Sequence, residues 1–157
     1  EIDRSTKTEY IYNTKSELKE EISYKFINNI WDPMAKTINF FENNELAKCI
    51  EYIRKNNEWK EYTKIKYEYD KNNNCIKEIF YDFRNGNWHV YIEISNYFNI
   101  YHKIIKETVL VMDDNRQIET EYIYNKNKNL SQVIKNNMIF FYTYDKNENL
   151  IEYYEYL

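Results

Sequence analysis

The segment Asp-Lys-Asn-Asn-Asn places oxygen-bearing side chains at Asp70, Asn72 and Asn74, and Asp-Lys-Asn-Glu-Asn repeats the spacing from Asp145 to Asn149. Alternate oxygens of this kind are what a hard cation such as calcium requires. The same spacing also suits an Asx turn, in which the first side chain accepts hydrogen bonds from backbone two and four residues on. A calcium loop further needs a glycine at its sharp bend and a distal bidentate acid, and neither is placed here. We therefore read both segments as hairpin turns and expect no metal and no cofactor, with Asp70, Asn72 and Asn74 as the weaker alternative.

The remaining reactive side chains are few and far apart. His89 and His102 both fall in segments read as strands, with His89 on the solvent-facing parity. Together with the distant Cys49 and Cys75 they do not form a metal-binding pattern. The two cysteines are either one bridge or two small buried apolar residues, and the second reading is preferred. A Cys–His pair brought together by strand pairing stays open in principle. No nucleophile elbow, glycine-rich phosphate loop or HExxH is present. Carboxylates occur in pairs at Glu20-Glu21, Glu119 and Glu121, and Glu152 and Glu155. On strands facing lysine-rich neighbours they read as cross-strand ladders rather than a glycosidase pair. We accordingly expect no catalytic residues and no enzyme.

Aromatic side chains are the better candidates. The chain has only three tryptophans, Trp31, Trp59 and Trp88, spaced 28 and 29 residues apart. Each follows an Asn-bearing turn, and a recurring position implies a common row, either a packed ladder or an exposed platform. Tyr62, Tyr91 and Tyr97 fall on the opposite parity. Amphipathic rings with few rotors give contact area at low entropic cost, so these three are the preferred binding residues.

Elements that hold such rings in line must repeat with them. Ten residues after each Trp stands an aromatic followed by an acid or Asn, at Phe41-Glu42, Tyr69-Asp70 and Phe98-Asn99. A turn and an apolar residue follow, at Leu46, Cys75 and Ile104. A period of about 28–29 residues marks a supersecondary unit that cannot bury its apolar side alone. The clearest copies span 31–58, 59–87 and 88–116, with degenerate copies at both ends of a single domain, 1–157. Period-two alternation makes the strand assignment. One parity of Trp59–Asp70 reads Trp59, Glu61, Thr63, Ile65, Tyr67, Tyr69, and the other Lys60, Tyr62, Lys64, Lys66, Glu68, Asp70. The segment 43–55 has some helical character, but its place in the repeat predicts a strand. About a dozen strands joined by short turns imply an all-β antiparallel meander, a curled or elongated single sheet. A terminal strand left open would pair with a second copy, an edge-strand homodimer.

Composition agrees. There are 18 Tyr and 23 Asn among 157 residues, against one Gly and one Pro. Tyr fits a half-buried pleated surface, and Asn supplies turns where other chains use Gly. A net charge of −4 argues against nucleic-acid partners, which require a basic face. No run approaches the ~20 apolar residues of a membrane-spanning helix. The chain opens at Glu1 rather than Met, as a mature or a trimmed form would, and we favour a secreted protein whose signal was removed.

The phrase Tyr-x-Tyr-Asp-x-Asn-x-Asn, at Tyr67–Asn74 and Tyr142–Asn149, together with the Trp-bearing turn and the period, resembles the YD-repeat-like tandem β-hairpin arrays of bacterial surface and secreted proteins, those of Bacteroidetes above all. The family's turn glycine is here Asn73, Lys128 or Glu148, and its aspartate is Asn13 or Asn125, so turn type is expected to differ between copies. The resemblance implies a β-rich binding, shell or stalk element outside the cytoplasm and no shared chemistry. We therefore expect a module of the extracellular space or cell envelope that binds a protein or glycan partner through its Tyr/Trp-rich face. The alternative is a cytoplasmic immunity or antitoxin-type protein that caps a toxin.

Overall fold

The computed structural model describes residues 5–156, and they are strand and turn with no helix. Twelve strands follow one another: β1 (Thr6–Tyr12), β2 (Leu18–Ile27), β3 (Ile30–Glu42), β4 (Glu45–Lys55), β5 (Glu58–Tyr69), β6 (Cys75–Arg84), β7 (Asn87–Phe98), β8 (Ile104–Val111), β9 (Arg116–Tyr124), β10 (Leu130–Lys135), β11 (Met138–Tyr144) and β12 (Leu150–Tyr156). They pair in sequence order as one antiparallel meander, with β1 and β12 at the two ends of the order. The region with helical character is strand β4, as its repeat position predicts. Among the described residues no helix is long and apolar enough to cross a membrane.

Of the eleven turns, the one at 112–115 has Asn115 as its one left-handed residue, and the other ten are of two kinds. In the first, two consecutive residues adopt left-handed backbone: Asn28-Asn29, Asn43-Asn44, Asn56-Asn57, Asn85-Gly86 and Asn136-Asn137. Positive φ at both central residues is the primed turn whose twist matches a hairpin, and Asn is the side chain that tolerates it best after Gly. The second kind is a five-residue loop at 13–17, 70–74, 99–103, 125–129 and 145–149. In each, the N–H of the first residue bonds to the carbonyl of the fifth at 2.8–3.0 Å. The first side chain, Asn13, Asp70, Asn99, Asn125 or Asp145, accepts the N–H groups of the third and fifth residues. The fourth residue is left-handed in every copy: Ser16, Asn73, His102, Lys128 and Glu148, with φ from 59° to 67°. The expected variation of turn type between these copies does not occur, because the Asx side chain closes the loop whatever stands at the left-handed position. His102 accordingly lies in a loop and not on a strand.

Two compact units divide the chain, one made of Glu1–Glu68 with Ile79–Tyr91, the other of Tyr69–Glu78 with Ile92–Leu157. In the first, the long hairpins carry regular bulges. The β2·β3 register passes over Met34, and the β4·β5 register passes over Tyr62. The second contributes the shorter hairpins, with strands of 6 to 9 residues from β8 onward.

Burial is thin throughout. Among the described residues only Ile50 is a buried hydrophobic, and Asn96 and Thr120 are the buried polar residues. Among the described residues no side chain is fully enclosed, so the rings are half-covered by their sheet neighbours rather than sealed in a core. On β12 Leu150, Ile151, Tyr153, Tyr154 and Tyr156 are all exposed. Phe140 and Phe141 stack on Tyr153 and Tyr154, with centroids 6.2 and 4.9 Å apart.

Candidate functional site

Each tryptophan stands two residues after the second left-handed turn residue, at the start of β3, β5 and β7. Trp31 packs on Phe26 and Trp88 on Phe83, both with ring centroids 5.0 Å apart, while Trp59 faces Arg54 across the ladder. A lysine lies over every one. Lys7 sits 4.5 Å from the Tyr24 ring and 5.3 Å from Trp31; Lys36 sits 5.0 Å from Tyr52 and 4.9 Å from Trp59; Lys64 sits 4.2 Å from both Tyr81 and Trp88. The lysine, tyrosine and tryptophan come from three successive strands, so one ammonium ties two neighbouring strands to its own.

This Lys–Tyr–Trp stack was absent from the sequence reading, although its signal was available. Lys7, Lys36 and Lys64 recur at 29 and 28 residues, and Tyr24, Tyr52 and Tyr81 at 28 and 29, the same beat as the tryptophans. One period further on the positions hold Glu93, Leu110 and Gln117, which cannot form it. Lys64 is held below the ordinary lysine range, first by burial and then by the charges of Lys66 and Lys48.

The parity expected for β5 is corrected by the bulge. Trp59 pairs with Arg54 and Lys64 with Ile50. Arg54 and Ile50 are four residues apart on a regular strand and share a face, so Trp59 and Lys64 share it too. Beyond Tyr62 the alternation therefore switches. Lys64 and Lys66 fall with Trp59, while Thr63, Ile65 and Tyr67 fall opposite. A bulge adds one residue without any mark in the hydropathy pattern, which is why simple alternation misplaced these side chains.

The opposite face of the same unit carries the Tyr candidates. Thr63 Oγ1 donates to Glu51 Oε2 at 2.8 Å, which puts this pair on the side away from Tyr52 and Trp59. Tyr91 packs edge-on against Phe80 at 6.3 Å. Its phenol is raised above the usual value by burial first, and then by the charges of Asp82, Tyr62 and Glu51. Tyr62 is 50% exposed. Asp82 pairs with Arg84 through Oδ2, and its Oδ1 is buried without a hydrogen-bond partner. Tyr62 and Tyr91 thus belong to one acidic, aromatic surface. Tyr97 does not join them. It lies in the other unit, opposite Lys106 in the β7·β8 register, and is 52% exposed.

The groups considered for chemistry are committed elsewhere. Asp70 spends Oδ1 on the N–H groups of Asn72 and Asn74 and Oδ2 on Asn74 Nδ2, so the alternate oxygens close a loop. Its carboxyl is held below the usual range first by that Asn74 side chain. Among the described residues no three His, Cys, Asp or Glu side chains converge for a metal. His89 is exposed, and His102 Nδ1 lies 3.1 Å from Asn74 Oδ1. Cys49 and Cys75 are free thiols, both half-buried, and burial is the main cause raising each above its ordinary value.

No family model matches this chain, and no curated protein matches it. Among solved structures it is similar to a Bacteroides fragilis NCTC 9343 protein of unknown function, crystallised at 1.90 Å resolution. The two share 10% identity with a TM-score of 0.59, over 74% of this chain and 88% of that one. The likeness shows a shared fold.

Proposed function

We propose that the chain is a non-enzymatic β-repeat module that binds a protein partner through the face carrying Tyr62, Tyr91, Glu51 and Asp82. The observation that carries this reading is the half-exposed ring of Tyr62 beside Tyr91, Glu51 and Asp82, which puts apolar ring and acid together on one sheet face. An Arg or Lys from a partner would pair with the acids while the rings supply apolar contact, the combination found at interface hot spots. A glycan is the weaker partner for the tryptophans, because a lysine already lies over each indole where a sugar would stack. The raised thiols of Cys49 and Cys75 weigh against cysteine nucleophiles, which need depressed values.

For location we favour the extracellular space or cell envelope, on the resemblance to YD-repeat-like arrays. A second reading, an intracellular immunity-type protein, draws on the same face, since acid and tyrosine complement a basic toxin surface. The full gene separates them: a signal peptide supports the first, an adjoining toxin gene the second. Protein and glycan arrays probed with wild type and with Tyr62→Ala/Tyr91→Ala test the face itself. Protein signals lost in the variant support it, and signals retained in full overturn it.

A further inference from the structure

The second unit carries a cleft whose chemistry differs from the acidic face. It has a volume of about 330 Å³ and is walled by the loops 99–103 and 125–129 with the end of β9. Lys103, Lys126 and Lys128 line it together with Tyr101, Tyr124 and the loop-closing Asn99 and Asn125. No Asp or Glu is among the lining residues, in a chain with 26 acids and a net charge of −4. None of the three lysines takes part in an ion pair among the described residues.

Two of the ammonium groups are held in place by rings. Lys128 lies 4.0 Å from the Tyr101 centroid, reaching from one loop to the other, and Lys103 lies 5.2 Å from that of Tyr124. The left-handed φ of 67° at Lys128 fixes where its side chain leaves the loop. Both loops are closed by their own Asn side chains, so the walls are set before any ligand arrives. Three lysines lining one cleft, with no acid in its wall, make a local positive field that favours an anion.

We propose that this cleft is a binding site for an oxyanion, a phosphate or sulfate group, free or carried on a small ligand. Each lysine supplies charge-assisted hydrogen bonds to the anion's oxygens, and the pre-placed ammonium groups lower the entropic cost of making them. The site is separate from the Tyr62–Tyr91 face and does not depend on that face binding a protein.

Nuclear magnetic resonance of the full chain tests the site, with inorganic phosphate, glucose 6-phosphate and glucose as titrants. Saturable shifts confined to the amides of 99–103 and 125–129 are expected with both phosphates and not with glucose. Tighter binding of glucose 6-phosphate than of inorganic phosphate assigns the site to an anion carried on a small ligand; equal binding assigns it to the free anion. Lys126→Gln and Lys128→Gln each weaken binding at least tenfold, while Lys71→Gln, on a loop outside the cleft, leaves it unchanged. Absence of saturable shifts overturns the site, as does equal weakening by Lys71→Gln, which would mark diffuse attraction to a charged surface. Circular dichroism of the variants confirms that the sheet is retained; Lys103→Gln replaces any variant that loses it.

Discussion

Lys36 lies 4.9 Å above the indole of Trp59, although an entire strand, β4, separates the strands that carry them. The bridge runs across Tyr52, which stands opposite Lys36 in the β3·β4 register. With so little buried apolar surface, cation–ring stacks of this kind take over part of the work that a core performs in other folds.

Lys36→Gln therefore destabilises the protein by about 0.5–1 kcal/mol. Lys60→Gln, which removes only an exposed partner of Glu58 on its own strand, changes little. Chemical denaturation of both variants, with a double-mutant cycle through Trp59→Leu, measures the difference. Additive losses in the cycle would show that Lys36 and Trp59 do not interact.

The five-residue loops make a backbone prediction. Glu148 is held at φ 67°, a conformation that strains any side chain with a Cβ. Glu148→Gly should stabilise the protein by about 1 kcal/mol, despite the larger entropy of glycine in the unfolded chain. Asn147→Gly, one residue earlier and without positive φ, should destabilise. Thermal unfolding of the two variants decides the point.

Loop 125–129 contains a defect that its sister loops lack. In loops 70–74 and 145–149 the amide of the fifth residue donates to Asp70 Oδ2 or Asp145 Oδ2, at 2.8 and 3.0 Å. With Asn at position 125 no such oxygen exists, and Asn129 Nδ2 is buried without a partner. Asn125→Asp raises the melting temperature at neutral pH. The new carboxyl, like Asp70 and Asp145, sits below its ordinary value when folded, so its contribution is present above the unfolded value and fades as pH falls through the folded one. Melting curves at pH 7 and pH 3 show whether the gain disappears in acid.

Glu78 has the opposite sign. Burial first, and then the charge of Glu107, raise its carboxyl above the usual value of 4.5. A raised folded value means stability that is present below the unfolded value and lost as pH rises through the folded one. Glu78→Gln consequently raises the melting temperature at pH 7, and the gain over wild type vanishes near pH 4. A gain that persists unchanged at pH 4 would assign the effect to packing.

Much of this architecture was legible in the chain. The tryptophan period, the Asn-bearing turns and the two-residue alternation were enough to specify a meander of a dozen antiparallel strands. The bulges were not, because nothing distinguishes Tyr62 from its neighbours until the register with β4 is known, and one extra residue sends Lys64 and Ile65 to the faces opposite those expected. The common closure of the Asx loops was hidden by their varied fourth residues, from Ser16 to Glu148. The site was legible only as a class of side chain. Tyr62 and Tyr91 were identifiable as candidates, while the acids beside them, Glu51 and Asp82, come from strands β4 and β6 and are joined to them by pairing alone. The Lys–Tyr–Trp stack was within reach, since all three residue types keep the period.

The partner-binding face is tested most directly at Asp82, the acid whose charge acts on Tyr91. Calorimetric titration of the protein selected on the arrays, against wild type and Asp82→Asn at matched ionic strength, provides the measurement. A tenfold or greater loss of affinity in Asp82→Asn, with the sheet intact by circular dichroism, is the predicted result. Unchanged affinity would contradict the account and move the partner to another surface.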